Sequence, residues 1–394
     1  GRTRMATCEC VALSVSGLCL VYNVALTAFR ASTFEVFNVT ETVARSVSIL
    51  FINLAAYSLS KTENPRAQAL QWVLVGGAVY LSHLDRLKNV VGKVPRPISL
   101  GRKVYIITGS NTGIGFETAK ALLLQGATVI LACRSVDKAA EARNELLKLT
   151  HCPSSSVIVL RLDLCSFDSV REFVKAFREL ELPLHALINN AGIMMDKREV
   201  IKGTDLETCI TANHFSHFLL TNLLLPDLEK TAGRVVTLSS SIHRLARTFN
   251  FDDIMTTKNY EMFANYGQSK LANILFTREL HKRLTARGSR VSAYAVHPGA
   301  VRTDVTRHMN AFMQTGNAIC APILRTMQKT PPEGAYCSVI VATSPELPLH
   351  PRKYGGQLFF HGEVVPVSAA GMDDAAAARL WKVSEQITGM VETK

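Results

Sequence analysis

The sequence has little charge for its 394 residues, 19% Asp, Glu, Lys and Arg, and only two tryptophans. Its bases outnumber its acids, for a formal net charge of +12, yet they form no long run and no aromatics interleave them. That dispersal argues against a nucleic-acid interface, which gathers its cations on one face. It stays compatible with a phosphate-bearing cofactor or an anionic membrane surface. The nine cysteines are odd in number and contain neither CxxC nor a Cys/His ligand spacing, so no metal site and no complete disulfide framework is expected. A GxSxG elbow is also missing, which removes the hydrolase reading of the serines. With 47% hydrophobic residues the chain lacks the signature of disorder, and no internal repeat or low-complexity tract interrupts it.

Composition changes near residue 100. Before it lie three uncharged apolar stretches, Val11 to Phe29, Val47 to Leu59 and Ala67 to Leu84. The first and third approach the roughly 20 residues a membrane crossing needs. Arg2 and Arg4 precede the first, and Arg86, Lys88, Lys93, Arg96, Arg102 and Lys103 follow the third. The positive-inside rule then puts both ends in the cytosol, as a hairpin with Asn38, in an Asn-Val-Thr sequon, on the far side. Three full spans would reverse the sidedness, and burial of these stretches in an N-terminal subdomain is the non-membrane alternative. The domain reading is residues 1–98 as a hydrophobic, membrane-associated helical region and residues 99–394 as a catalytic domain. The expected location is the endoplasmic reticulum membrane with the catalytic domain facing the cytosol; lipid droplet, mitochondrial and lumenal placements are the alternatives.

From Lys103 to about Phe360, short β-branched runs alternate with amphipathic stretches, the pattern of a parallel sheet with helical crossovers. Strands are expected at Val104 to Ile107, Thr128 to Ala132, Val157 to Arg161, Ala186 to Asn189, Arg234 to Leu238 and Val291 to Val296, with a seventh at Gln357 to Phe360. Helices are expected near Gly115 to Leu124, Asp137 to Leu149, Phe167 to Glu179, Glu207 to Leu225 and Tyr266 to Thr285. The fold class is therefore α/β: a doubly wound, Rossmann-type parallel sheet of about seven strands.

The first strand runs into Thr108-Gly109-Ser110-Asn111-Thr112-Gly113-Ile114-Gly115 and then a helix. Glycines there let the backbone turn tightly and approach a pyrophosphate, which sits against the free amides of the helix N-terminus. Farther on, Tyr266-Gly-Gln-Ser-Lys270 puts a phenol and an ammonium one helical turn apart. An unperturbed tyrosine, with a pKa near 10, is a poor base at neutral pH, and a neighbouring ammonium favours its phenolate.

The Gly-x3-Gly-x-Gly spacing departs from GxGxxG, and with the ordered motifs after it the sequence resembles the short-chain dehydrogenase/reductase family. That resemblance implies an NAD(P)-dependent oxidoreductase. It implies that Gly109, Ser110, Asn111, Gly113, Ile114 and Gly115 cradle the dinucleotide and that Asp163-Leu164 contacts the adenine. Arg134 stands where the family places either an acid for the ribose or a base for a 2′-phosphate, which favours NADP(H), with NAD(H) as the alternative. Asn190-Ala191-Gly192 lies behind the nicotinamide ribose, and Asn213 orders a water in the proton relay. Ser240 orients the substrate, with Ser239 as its rival; Tyr266 exchanges the proton, and Lys270 also holds the ribose hydroxyls. Pro298, Gly299, Val301 and Thr303 flank the nicotinamide.

Ser240 and Tyr266 are separated by 26 positions, about twice the family's usual interval. With Phe251-Asp252-Asp253 and Leu380-Trp381-Lys-Val-Ser-Glu385, this resembles the branch holding retinol dehydrogenases, the WW-domain oxidoreductase and the X-linked dehydrogenase/reductase. The long N-terminal region departs from that branch, and no WW domain is visible. The branch implies a lipophilic alcohol, aldehyde or ketone of retinoid, sterol or polyisoprenoid type. Met309, Phe312, Met313, Ile319, Ile323, Leu324 and Met327 would form an apolar lid over it, or serve as core. A catalytically weak cofactor-binding scaffold or signalling protein of the same fold is the alternative function. The oligomeric state stays open, with a homodimer as one arrangement.

Overall fold

The computed structural model describes residues 99–301 and 328–390. These belong to the second of the chain's two units, Pro95–Lys394. The apolar stretches of residues 1–98, Thr303 and the expected lid lie outside the described residues. Among the described residues, no helix is long and apolar enough to cross a membrane.

Seven parallel strands form the sheet: β1 Val104–Thr108, β2 Thr128–Cys133, β3 Val157–Arg161, β4 Ala186–Asn189, β5 Arg234–Leu238, β6 Ser292–Val296 and β7 Leu358–Phe360. An eighth strand, β8 Glu363–Val365, adds antiparallel to the edge, so the expected count of seven is corrected to eight. It escaped notice because it is only three residues long and follows β7 through the two-residue turn His361-Gly362, both with positive φ. The order is β3-β2-β1-β4-β5-β6-β7-β8. Winding reverses between β1 and β4, so a crevice opens there beyond the carboxyl ends of the strands.

Alternation along the strands divides two cores. Tyr105 and Ile107 of β1 face one side with Val129, Leu131 and Ile188; Val104 and Ile106 face the other with Ile130 and Leu187. Both faces are covered, which explains why β1 reads as an unbroken buried run. The longer helices among the described residues are α1 Gly113–Leu123, α2 Val136–Thr150, α3 Phe167–Glu179, α4 Ser216–Thr231, α5 Met262–Ala286, α6 Pro331–Thr343 and α7 Asp374–Thr388.

Two helical expectations change. The helix expected from Glu207 starts at Thr208, with Glu207 as its cap, and passes through a π-helical turn, Thr211–Phe215, before α4. The catalytic helix begins at Met262 rather than Tyr266. Two unexpected helices carry their own start signals. A capping box, Thr330 with Glu333, and Pro331 at the first position open α6, while Asp373 caps α7 and Gly389 closes it with φ 65°.

Candidate active site

β1 delivers Thr108 to the crevice, and the chain turns at Gly109 and Gly113 with φ of +64° and +58°, where a side chain would strain the backbone. Gly115 answers a different need. A Cβ there would lie 2.5 Å from Gly109 O and 2.6 Å from Asn190 Nδ2, so only a hydrogen lets α1 seat against the two turns. Asn190 in turn donates its amide to Thr108 O at 2.7 Å.

The hydroxyl of Thr108 is a junction that sequence reasoning missed. It accepts from the backbone N–H of Asn190 and of Ala191, each at 2.9 Å. Its one proton is then left for His217 Nε2, also 2.9 Å away. His217 must therefore carry its hydrogen on Nδ1, where it donates to Asn213 O at 3.1 Å. Burial, with the Lys270 charge adding to it, pushes the His217 pKa down to about 4, so the ring is neutral. The spacing Asn213-x3-His217 on one helix face was the available signal.

Asn213 lies in the π-helical turn and does not line the cleft. Its Oδ1 accepts from Ile193 N at 2.8 Å, while Nδ2 donates to Ile193 O at 2.9 Å and to Ser269 Oγ at 3.0 Å. It clamps the Gly192 loop to α5. π-turns recur at functional sites because they re-aim such a residue. Ser110 is also turned inward, donating to Ile107 O.

α5 brings Tyr266 and Lys270 to the cleft on adjacent turns, with the ammonium 5.4 Å from the phenol ring centroid. Lys270 is 3% exposed and its Nζ donates to Leu238 O at 3.3 Å. Gly192 leaves it room, since a Cβ there would stand 3.1 Å from Nζ. Burial lowers the Lys270 pKa to about 8 and raises that of Tyr266. Desolvation thus favours the neutral phenol of Tyr266, against the phenolate expected from the neighbouring ammonium. Both serines border the cleft, but Ser239 is 2% exposed with its hydroxyl donating to Lys270 O at 2.7 Å, whereas Ser240 is only half-buried.

One cleft of about 610 Å³ joins these parts. Its walls include Gly109, Asn111, Gly113, Ile114, Gly115, Arg134, Asp163, Leu164, Asn190, Ala191, Gly192, Ser240, Tyr266, Lys270, Pro298, Gly299 and Val301. It thus runs from the end of β2 to α5, and the glycine turns leave backbone open to a pyrophosphate. Lys138 and Cys165 are among the wall residues that had not been singled out. Lys138 stands one turn into α2 from Arg134, and the Cys165 thiol, pushed up to about 11 by burial, follows Asp163. Among the described residues no group of three or more His, Cys, Asp or Glu could hold a metal, and the five described cysteines are free.

The match that decides the family covers residues 103–314, which align with the short chain dehydrogenase family. The chain belongs to the short-chain dehydrogenases. It is an oxidoreductase of that family, whose members bind NAD(P). This short-chain dehydrogenase is 43% identical to Retinol dehydrogenase 11 of Mus musculus over 295 residues, 74% of this chain and 88% of that protein. It is 36% identical to polyprenol dehydrogenase of Homo sapiens over 332 residues, 82% of this chain and 96% of that one. A crystal structure of an uncharacterised protein from Mycobacterium paratuberculosis is 33% identical with a TM-score of 0.58, covering 74% of this chain and 95% of that one.

Proposed function

We propose that this chain is a membrane-associated, NADP(H)-preferring oxidoreductase that interconverts a lipophilic alcohol with its aldehyde or ketone, of retinoid or polyisoprenoid type. The observation that carries this reading is the single cleft holding Arg134 and Lys138 at one end and Tyr266, Lys270 and Ser240 at the other. Cations beside the ribose end favour a 2′-phosphate, since Arg grips phosphate bidentately and no acid stands at that position to repel it. The substrate class follows from the relatives named for retinol and polyprenol, and the membrane from the apolar stretches before residue 98.

A nicotinamide held in the cleft would supply or accept the hydride. Burial keeps Tyr266 a neutral phenol, poised to donate its Oη proton to a carbonyl oxygen during reduction. In oxidation the same phenol must ionise, and Lys270 is the cation one turn away that lowers the cost. Ser240 Oγ would hold the substrate oxygen beside that phenol, and Lys270 would also hold ribose hydroxyls.

Full-length protein in lipid, assayed with retinal and a polyprenal, should oxidise NADPH faster than NADH. Tyr266→Phe should lose roughly 10³-fold in turnover while still binding NADPH. Absence of Tyr266-dependent hydride transfer to every lipophilic carbonyl tried would sink the proposal, and NADPH binding without turnover would favour a scaffold.

A further inference from the structure

His243 is fully buried in the 3₁₀ turn Ser241–Leu245 that follows Ser240. Ser368 N, from the segment beyond β8, donates to its Nε2 at 3.2 Å. That nitrogen must hold a lone pair, so the ring proton is on Nδ1, 2.6 Å from Ser240 O, to which it donates. Burial, with the Arg244 charge adding to it, lowers the pKa of His243 to about 4, so this tautomer persists at working pH. Arg244 Nη2 makes a second tie, donating to Pro366 O at 2.6 Å.

The backbone on the other side of Ser240 is fixed as well: Ser239 N donates to Val296 O at 2.8 Å and Ser239 Oγ to Lys270 O at 2.7 Å. The Ser240 hydroxyl itself accepts only a long bond, 3.4 Å, from Ile242 N. Its aim into the cleft therefore rests on the two peptides that flank it, one held by β6 and α5 and the other by His243, whose backbone N–H also donates to Ser240 O, at the longer distance of 3.1 Å.

We infer that His243 is a positioning residue for Ser240, carrying the hold of the C-terminal segment onto the substrate-orienting hydroxyl. This rests on the proposed role of Ser240.

The test is a double-mutant cycle on the full-length protein, with kcat and KM for retinal and Kd for NADPH measured on each variant. His243→Leu should lower kcat/KM by roughly tenfold or more, since small displacements of an orienting group cost that much, with NADPH affinity within about twofold. Added to Ser240→Ala it should cost nothing further, because the group it aims is gone. His243→Asn keeps a donor near the Nδ1 position and should recover more activity than His243→Gln, which keeps an acceptor near Nε2. Wild-type turnover in His243→Leu, costs that multiply with those of Ser240→Ala, or a parallel loss of NADPH affinity would each overturn the inference. If the leucine variant does not fold, the Asn and Gln variants decide, and equal or reversed activities overturn it. Wild-type turnover in Ser240→Ala would instead bring down the role of the serine itself.

Discussion

The two walls of the cleft are built differently. The cofactor wall, from Thr108 to Gly115 and Asn190 to Gly192, is set by glycine fit and by backbone groups meeting one threonine hydroxyl. The wall that carries Ser240 is held through the adjoining turn, Ser241–Leu245, by side chains reaching the last quarter of the chain: His243 to Ser368 and Arg244 to Pro366. Farther along the same tail, α7 covers α4 and α5. Trp381 lies nearly parallel to Phe276 at 5.9 Å and edge-on to Phe218 at 4.9 Å, beneath the Arg283 guanidinium at 4.5 Å. A dinucleotide is common to the family, so its wall is made of short contiguous motifs. The wall facing the substrate can vary, and here it is fastened by a C-terminal segment.

The contrast can be broken by perturbing each side alone. Trp381→Ala should cost about 3 kcal/mol or more of stability, as large-to-small changes in a packed aromatic cluster do. Calorimetry would show it as a lowered Tm, and the KM for retinal should rise while the NADPH to NADH ratio stays fixed. Gly115→Ala drives a Cβ onto Gly109 O, a backbone atom that cannot swing away. NADPH affinity should fall by roughly 10- to 100-fold, read by cofactor fluorescence, with Ser240-side packing untouched. A change in the NADPH to NADH ratio with Trp381→Ala, or an intact cofactor site with Gly115→Ala, would dissolve the distinction.

Within the cofactor wall, Arg134→Ala should reduce the preference for NADPH over NADH by about tenfold at low salt and by less at high salt, because Arg134 is exposed and screened. Equal kcat/KM ratios in variant and parent would show that Arg134 does not select the cofactor. The pH profile of reduction touches the junction of the walls. Lys270, lowered by burial to about 8, loses its proton as pH rises through that value, so kcat/KM should fall by up to tenfold per unit above it. A flat profile to pH 10 would show that bound cofactor restores the ammonium.

Much of this was legible in the sequence. All seven expected strands fell within a residue at each end because strands of a parallel sheet covered on both faces read as apolar, β-branched runs. The glycines, Asn190, Tyr266 and Lys270 could be found because each acts within a few residues of its motif. β8 was too short to show a period, and α7 was passed over although Asp373 and the alanine run after it announce a helix.

Local spacing by itself determined the α/β class, the phosphate cradle and the phenol and ammonium on one helix face, since these depend on neighbours in the chain. Tertiary structure alone tied the Ser239 hydroxyl to Lys270 while leaving Ser240 half-buried, turned Asn213 away from the cleft, and gave His217 and His243 their tautomers. Those outcomes depend on partners brought together from 20 to 125 positions away. They also depend on burial, which sets which nitrogen holds the proton and keeps Tyr266 a phenol.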